Sequence, residues 1–157
     1  MQLFLIDFSA WLFFHLTISL GLIKLPDRFF EKDHPLNIVF KERDFEESGK
    51  FWKDQLKVHK WKDKLPDGAS LFHAGYKKKE LPSNDVATIK IFIKETKRAE
   101  LTHWLLMVPA PFFFLWNPIC IGWAMIFYAL LVNVPFILIQ RYNRIRLERI
   151  RKRKTSR

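Results

Sequence analysis

Residues 95–104 read ETKRAELTHW, and within them a densely charged segment passes directly into a long uncharged one. From Leu101 to Gln140 the chain contains no Asp, Glu, Lys or Arg. Nothing in 95–104 breaks a helix, and at about 100° per residue Glu100 and His103 fall on the same side of it. A helix that brings a carboxylate and an imidazole to the edge of a bilayer places ionisable groups where charge is costly. This pair is therefore the first candidate for a functional site.

The composition indicates that apolar and cationic segments are kept apart along the chain. The 157 residues are 49% hydrophobic and include 16 Phe and 6 Trp, yet the formal net charge is +11. This length suits one domain or one small membrane bundle. The single cysteine, Cys120, excludes an intrachain disulfide framework and lies in an apolar run, where a small buried hydrophobe is expected.

The first long apolar run, residues 1–23, predicts a transmembrane helix. At about 1.5 Å per residue it can just cross a hydrocarbon core of about 30 Å. A secretory signal peptide is the alternative, but no Lys or Arg precedes the run and no A-x-A cleavage pattern follows it. His15 within the run is expected to pack against a partner.

Residues 24–100 form a basic, polar region after Pro26 ends the first helix. Within it, apolar side chains recur at helical spacing over 45–64 among many lysines. This pattern predicts a helix lying at the membrane surface, with aromatic rings at headgroup depth and lysine stems reaching outward. A soluble amphipathic helix packed on its own domain is the alternative.

Residues 101–140 predict a transmembrane helical hairpin that turns at Asn117-Pro118. The first arm is short, and Pro109 and Pro111 are expected to kink it, so a re-entrant hairpin is the alternative to two full spans. In the second arm Asn133 and Gln140 share one helical stripe with Arg144, and a basic tail follows over 141–157.

The predicted fold is therefore mainly α: a small integral membrane protein with an N-terminal span, an interfacial segment on the cytoplasmic side and a C-terminal helical hairpin. All 27 Lys and Arg lie in 24–98 or 141–157. The positive-inside rule places both segments in the cytoplasm and predicts three spans with the N-terminus outside. One span with a re-entrant hairpin is the alternative. Membrane lipid is the expected partner of the tail. Nucleic acid is not expected, because no nucleic-acid-binding motif accompanies the charge.

Seven motifs give the sequence a specific resemblance, in order and with similar spacing, over about residues 26–147. They are Gly49-Lys50-Phe51-Trp52, Lys60-Trp61-Lys62, Asp67-Gly68, Glu95 to Leu101 with His103-Trp104, Phe127-Tyr128-Ala129, Asn133-Val134-Pro135 and Gln140-Arg141-Tyr142-Asn143-Arg144. They resemble the glycosyl-4,4'-diaponeurosporenoate acyltransferase family of Gram-positive bacteria. Ser48 stands where that family often has histidine, which argues against an essential base at position 48. Ile145 stands where the family has proline.

The resemblance implies that the chain esterifies the primary hydroxyl of a carotenoid-linked glucose with a branched fatty acyl group. This is the last step of a staphyloxanthin-type pathway. It implies no bound cofactor, an activated fatty acyl donor such as acyl-CoA as co-substrate, and a glycosylated carotenoid as acceptor. Other enzymes of the pigment pathway are further implied partners.

Acyl transfer to a hydroxyl needs a base, donors for the oxyanion and a surface for amphiphilic substrates. Our hypothesis makes His103 the general base, oriented by Glu100. Lys97 and Arg98 are candidates for binding the acidic part of the acyl donor. The remaining substrate-binding candidates, which could contact the sugar or the oxyanion, are Trp104, Asn133, Gln140, Tyr142, Asn143 and Arg144. No serine or cysteine lies in a nucleophile-elbow pattern, which favours direct transfer over an acyl-enzyme.

Three other interpretations stay open at this point. Glu100-x-x-His103 has the spacing of di-metal carboxylate bundles, but those need a second such motif, and we expect no metal. A different membrane glycolipid could be the acceptor on the same scaffold. A membrane scaffold for pigment enzymes without catalysis would tolerate single replacements at Glu100, His103 or Arg144.

Overall fold

In the computed structural model the chain is mainly helical, and no strand occurs in the described residues, which are 2–31, 33–65 and 85–156. Five α-helices lie in these ranges, and we number them in chain order: α1 Gln2–Lys24, α2 Asn37–Phe40, α3 Val58–Trp61, α4 Val86–Met107 and α5 Ile119–Thr155. Shorter 3₁₀ or π turns connect them at Asp27–Phe30, Asp44–Gly49, Phe51–Gln55, Lys62–Lys64 and Ala110–Leu115. Asp67-Gly68 lies outside the described residues.

The chain divides into two compact units, which are described separately below. The apolar unit comprises Met1–Leu25 and Glu100–Ile137. The polar unit comprises Pro26–Ala99 and Leu138–Arg157.

In the apolar unit, α1 packs through one narrow face. Its only buried residues are Asp7 and Trp11. Trp11 stacks on Phe113 with ring centroids 4.8 Å apart, and its indole Nε1 donates to the sulfur of Met125 at 3.2 Å. Asp7, one turn earlier, accepts from Asn117 at the turn before α5. Residue 7 of α1 contacts residue 117, and residue 11 contacts residue 125, so residue numbers increase in the same direction along both segments. The two helices therefore run in the same direction.

The remaining faces of α1 and of the first half of α5 are exposed and apolar. Phe4, Phe8, Phe127 and Leu131 are between 60% and 76% exposed. Both helices are long and apolar enough to cross a membrane by length and composition. Their outward apolar surfaces distinguish them from core helices of a soluble protein, which are buried all round.

Proline ends the α-helical part of the predicted first hairpin arm. α4 stops at Met107, and a 3₁₀ turn over Ala110–Leu115 follows Pro109. A kink is expected at Pro109 and Pro111, but the α-helix ends before Pro109, since proline lacks the N–H that would continue the ladder.

In the polar unit, the first part of α4 buries one stripe at helical spacing. Its members are Ile89, Phe92, Ile93, Thr96 and Lys97. The helix starts behind Asp85, whose carboxylate accepts from the Thr88 backbone N–H at 2.6 Å, as expected for an N-terminal cap.

The single interfacial helix predicted over 45–64 is wrong. The segment is four short turns, and left-handed backbone at Glu47, Ser48, Gly49 and Lys57 interrupts it. Trp52 and Val58 point into a core with Ile139 and Ile145 of α5, whereas Phe45 and Leu56 stay exposed. The apolar side chains do recur at helical spacing in the sequence. The left-handed residues rotate each turn relative to the next, however, so these side chains do not lie on one face.

Candidate active site

The central polar contact of the apolar unit joins a side chain of α4 to a side chain of α5. The Nδ1 atom of His103 lies 3.0 Å from Oδ1 of Asn133. Asn133 is 1% exposed, and its Nδ2 donates to the carbonyl of Ala129 at 2.9 Å. The ring of Phe136 stacks on the imidazole at 4.8 Å and 8°. His103 is therefore held by a hydrogen bond at one nitrogen and by an aromatic face.

These hydrogen bonds determine the tautomer of His103. A carbonyl oxygen only accepts, so the amide nitrogen of Asn133 must face Ala129 and its oxygen must face the imidazole. That oxygen also only accepts, so Nδ1 of His103 carries a proton. In the neutral ring the basic lone pair then lies on Nε2, as a general base requires.

Glu100 and Trp104 lie on the same helix beside His103. Glu100 is fully buried, and its carboxylate accepts from the indole of Trp104 over 3.4 Å, a long hydrogen bond. The contact described for His103 goes to Asn133. That Glu100 orients the imidazole stays a prediction.

A third ionisable group of the apolar unit is Asp7 on α1. One carboxylate oxygen of Asp7 accepts from Nε1 of Trp116 and from Nδ2 of Asn117, each at 2.8 Å. Asp7 is 7% exposed. His15, also on α1, donates through Nδ1 to the backbone oxygen of Trp11 at 2.9 Å, so it packs against a partner as expected.

In the polar unit, Lys97 is a buried cation bound to neutral oxygens. Its Nζ donates to the carbonyl of Phe30 at 2.9 Å and to the side-chain oxygen of Asn37. Burial lowers the pKa of Lys97, the nearby cations Arg144 and Arg151 lower it further, and Glu148 opposes them.

Arg98 differs from Lys97 because two carboxylates balance its charge. It pairs with Asp27 at 2.7 Å and with Glu95 one turn earlier. The hydrogen bond from Arg98 holds the pKa of Asp27 below its ordinary value. Of the two predicted donor-binding cations, Lys97 is the one without a described carboxylate in direct contact.

The C-terminal candidates lie on α5 within the polar unit. Gln140 and Arg144 are 7% and 2% exposed, so the predicted polar stripe is buried. The guanidinium of Arg144 lies 5.5 Å from the ring centre of Phe40. Tyr142 packs against the core formed with Trp52, and Asn143 is half-buried.

Sequence reasoning missed a buried ion pair next to this stripe. Glu46 accepts from Nε and Nη2 of Arg141 at 3.0 and 2.9 Å, from the Trp52 indole at 2.9 Å and from the Arg43 backbone at 2.6 Å. Burial alone would raise the pKa of Glu46, but these hydrogen bonds and the charge of Arg141 lower it overall. Arg141 is the first charge after the uncharged run, and a charge at that position needs a partner. The position of Arg141 was therefore the sequence feature that could have indicated the ion pair.

No group of three or more His, Cys, Asp or Glu side chains that could hold a metal ion occurs in the part of the chain that the structure describes. His103 and Glu100 belong to the apolar unit together with Asn133 and Trp104, whereas the other candidates belong to the polar unit.

Comparisons with known proteins give the same family as the motifs. The family model described as glycosyl-4,4'-diaponeurosporenoate acyltransferase matches residues 36–153. Proteins of that name from Staphylococcus aureus strains MRSA252 and Newman are each 41% identical, over 140 and 150 residues. These alignments cover 89% and 94% of this chain and 82% and 88% of the relatives. No solved structure matches significantly. The resemblance is confirmed, and the chain belongs to the glycosyl-4,4'-diaponeurosporenoate acyltransferase family.

Proposed function

We propose that this protein is an acyltransferase that esterifies the primary hydroxyl of a carotenoid-linked glucose with a fatty acyl group, with His103 as the general base. The family membership supports the reaction class. The observation that carries the assignment of the base is the His103–Asn133 hydrogen bond, which leaves the basic lone pair on Nε2.

In the proposed reaction Nε2 of His103 accepts the hydroxyl proton while the sugar oxygen bonds to the acyl carbonyl carbon. The tetrahedral intermediate then collapses as the bond to the donor's leaving sulfur breaks, and that sulfur takes the proton from the imidazolium. A thioester and an alcohol become an ester and a thiol, and His103 returns to its neutral form. Asn133 acts as a positioning residue, because its described hydrogen bonds go to His103 and Ala129.

His103 of α4 contacts α5 at a level that suits amphiphilic substrates. Its partner Asn133 lies seven residues before Gln140, which is about 10 Å along a helix. The base is thus inside the uncharged run but close to its basic end. A carotenoid and a fatty acyl chain partition into hydrocarbon, and a sugar or activated head group stays near the interface.

We further propose three passes through the cell membrane, with the N-terminus outside and the basic tail in the cytoplasm. The contact between Asp7 and Asn117 supports this arrangement. If α1 crosses the bilayer, the chain must return to the side on which α1 began before α5 can start there. The distribution of Lys and Arg then assigns that side to the exterior.

Lys97 and Arg144 are our candidates for the acidic part of the acyl donor, with Gln140, Tyr142, Asn143 and Trp104 for sugar or oxyanion contacts. Arg98 is a weaker candidate than the sequence indicated, since Asp27 and Glu95 already balance its charge. Replacing Lys97 by Met should raise the KM for the donor more than the KM for the acceptor.

The experiment that tests the substrate assignment is extraction of pigments from cells with and without the gene. We expect deletion to remove the esterified glycosyl-carotenoid and to accumulate the free sugar form. Unchanged pigment would contradict this acceptor. Unchanged pigment with loss of another acylated glycolipid would indicate a different acceptor. Restoration of the ester by the His103→Gln variant would indicate a scaffold without this chemistry.

A further inference from the structure

The polar unit carries an exposed apolar surface that the proposed reaction does not use. We call it the aromatic patch, and it consists of Phe45, Phe51, Leu56 and Trp61. Phe45 is 50% exposed and Leu56 40% exposed, while the other two are half-buried.

Direct contacts make the patch continuous. The rings of Phe45 and Phe51 are 5.3 Å apart and perpendicular. The backbone N–H of Leu56 donates to the carbonyl of Phe51 at 3.4 Å, and the indole of Trp61 donates to the carbonyl of Leu56 at 2.9 Å. These contacts place Phe45 next to Phe51, and Leu56 next to both Phe51 and Trp61, so the residues of the patch are neighbours although they are spread over three short turns.

The patch lies beside the part of α5 where hydrocarbon gives way to charge. Phe51 and Trp61 pack against a core that includes Ile139 and Ile145. The uncharged run of the sequence ends at Gln140, between these two residues. If α5 crosses a bilayer, the patch is held at the level where that helix leaves the hydrocarbon, which is the depth that Trp and Phe side chains favour.

The charges around the patch are mainly positive. Between residues 50 and 61 one carboxylate, Asp54, stands against four lysines, all of them exposed: Lys50, Lys53, Lys57 and Lys60. Exposed rings with lysine stems at their margin fit an anionic lipid surface, because the rings enter the interface and the ammonium groups reach phosphate.

We propose that the aromatic patch docks on the anionic surface of the membrane that α5 crosses. Packing of Phe51 and Trp61 against the core with Ile139 and Ile145 of α5, together with the local excess of lysine, favours lipid over a second copy or a soluble protein. Docking fixes the depth and tilt of the polar unit at the interface. It also accounts for exposed apolar side chains in an otherwise polar part of the chain.

The test uses the full-length protein with Cys120 replaced by Ser, in vesicles of phosphatidylcholine with or without phosphatidylglycerol. An environment-sensitive thiol probe is attached at Phe45→Cys or Leu56→Cys. The matched control is Ala87→Cys, an exposed site near the start of α4 and about 20 Å along that helix from Leu101. Quenching by lipids brominated near the headgroup is compared with quenching by aqueous iodide.

We expect lipid quenching and loss of most iodide quenching at positions 45 and 56, and the reverse at position 87. The difference should shrink without phosphatidylglycerol, or when Lys50, Lys53, Lys57 and Lys60 are all replaced by Gln. Full iodide access at 45 and 56 without lipid quenching would overturn the proposal and leave the patch to a soluble partner. Iodide shielding that appears without lipid quenching and grows with the protein-to-lipid ratio would also overturn it, in favour of a second copy.

Discussion

The imidazole Nδ1 of His103 and the amide Oδ1 of Asn133 lie 3.0 Å apart, although the two residues are 30 positions apart in sequence and belong to different helices. The amide is itself fixed by its bond to Ala129, so the contact determines both the orientation and the tautomer of the histidine.

Replacing Asn133 by Leu should lower the rate of ester formation by about tenfold or more, because the imidazole then loses the bond that selects its tautomer. The same substitution at Asn117 is the matched control. It removes an amide from the contact with Asp7 and should lower stability without a comparable loss of rate. An unchanged rate in folded Asn133→Leu protein would remove the positioning role.

Replacing Glu46 by Gln should destabilise the polar unit by about 3 kcal/mol, because Arg141 would remain buried without its carboxylate. Thermal unfolding of the detergent-solubilised protein measures this, and Glu42→Gln, at an exposed site, should change little.

The same carboxylate predicts a pH dependence. The pKa of Glu46 is lowered in the folded protein from an ordinary value of 4.5. Its stabilisation is therefore complete above that value and is lost as the pH falls through the lower, folded-state value. The acid limb of a stability profile should flatten in Glu46→Gln. An identical limb in both proteins would contradict the role of the pair.

Replacing Gly49 by Ala should destabilise the protein by about 1–2 kcal/mol. Its φ is +90°, and an added Cβ would lie 3.3 Å from Cγ2 of Ile145. Gly21→Ala is the matched control, since nothing lies within 4 Å of its added Cβ and alanine favours a helix. Equal unfolding temperatures for the two variants would show that Gly49 is not needed for the packing of the 44–52 turns on α5.

Replacing Asp7 by Leu should destabilise the apolar unit by about 2 kcal/mol, because the indole of Trp116 and the amide of Asn117 lose their common acceptor. Asp7→Asn keeps an acceptor oxygen and should cost less. Unfolding temperatures of the two variants in the same detergent give the comparison. Equal losses in the two variants would indicate that the charge, which both remove, matters rather than the acceptor.

Local patterns predicted the parts of the fold that depend on neighbouring residues. The apolar runs predicted α1 and the first part of α5, and Pro109 predicted the interruption that follows α4. Helical spacing also predicts that Glu100 and His103 are neighbours on one helix.

The contacts that define the candidate site could not be predicted in this way. Asn133 reaches His103 from another helix, Glu46 meets Arg141 across 95 residues, and Asp7 meets Asn117 across 110. A single sequence records which residues need partners, and the tertiary arrangement decides which partners they find. Left-handed backbone at Lys57 is equally invisible in a helical pattern, because lysine seldom adopts it.

The most direct test of the central claim is the rate of ester formation by His103→Gln and by His15→Gln in vesicles that contain the glycosylated carotenoid and an acyl thioester. Both histidines belong to the apolar unit, but His15 bonds to the backbone of its own helix. We expect His103→Gln to lose at least about 100-fold in rate and His15→Gln to stay near the wild-type rate. Full activity of folded His103→Gln protein would contradict the assignment of the base.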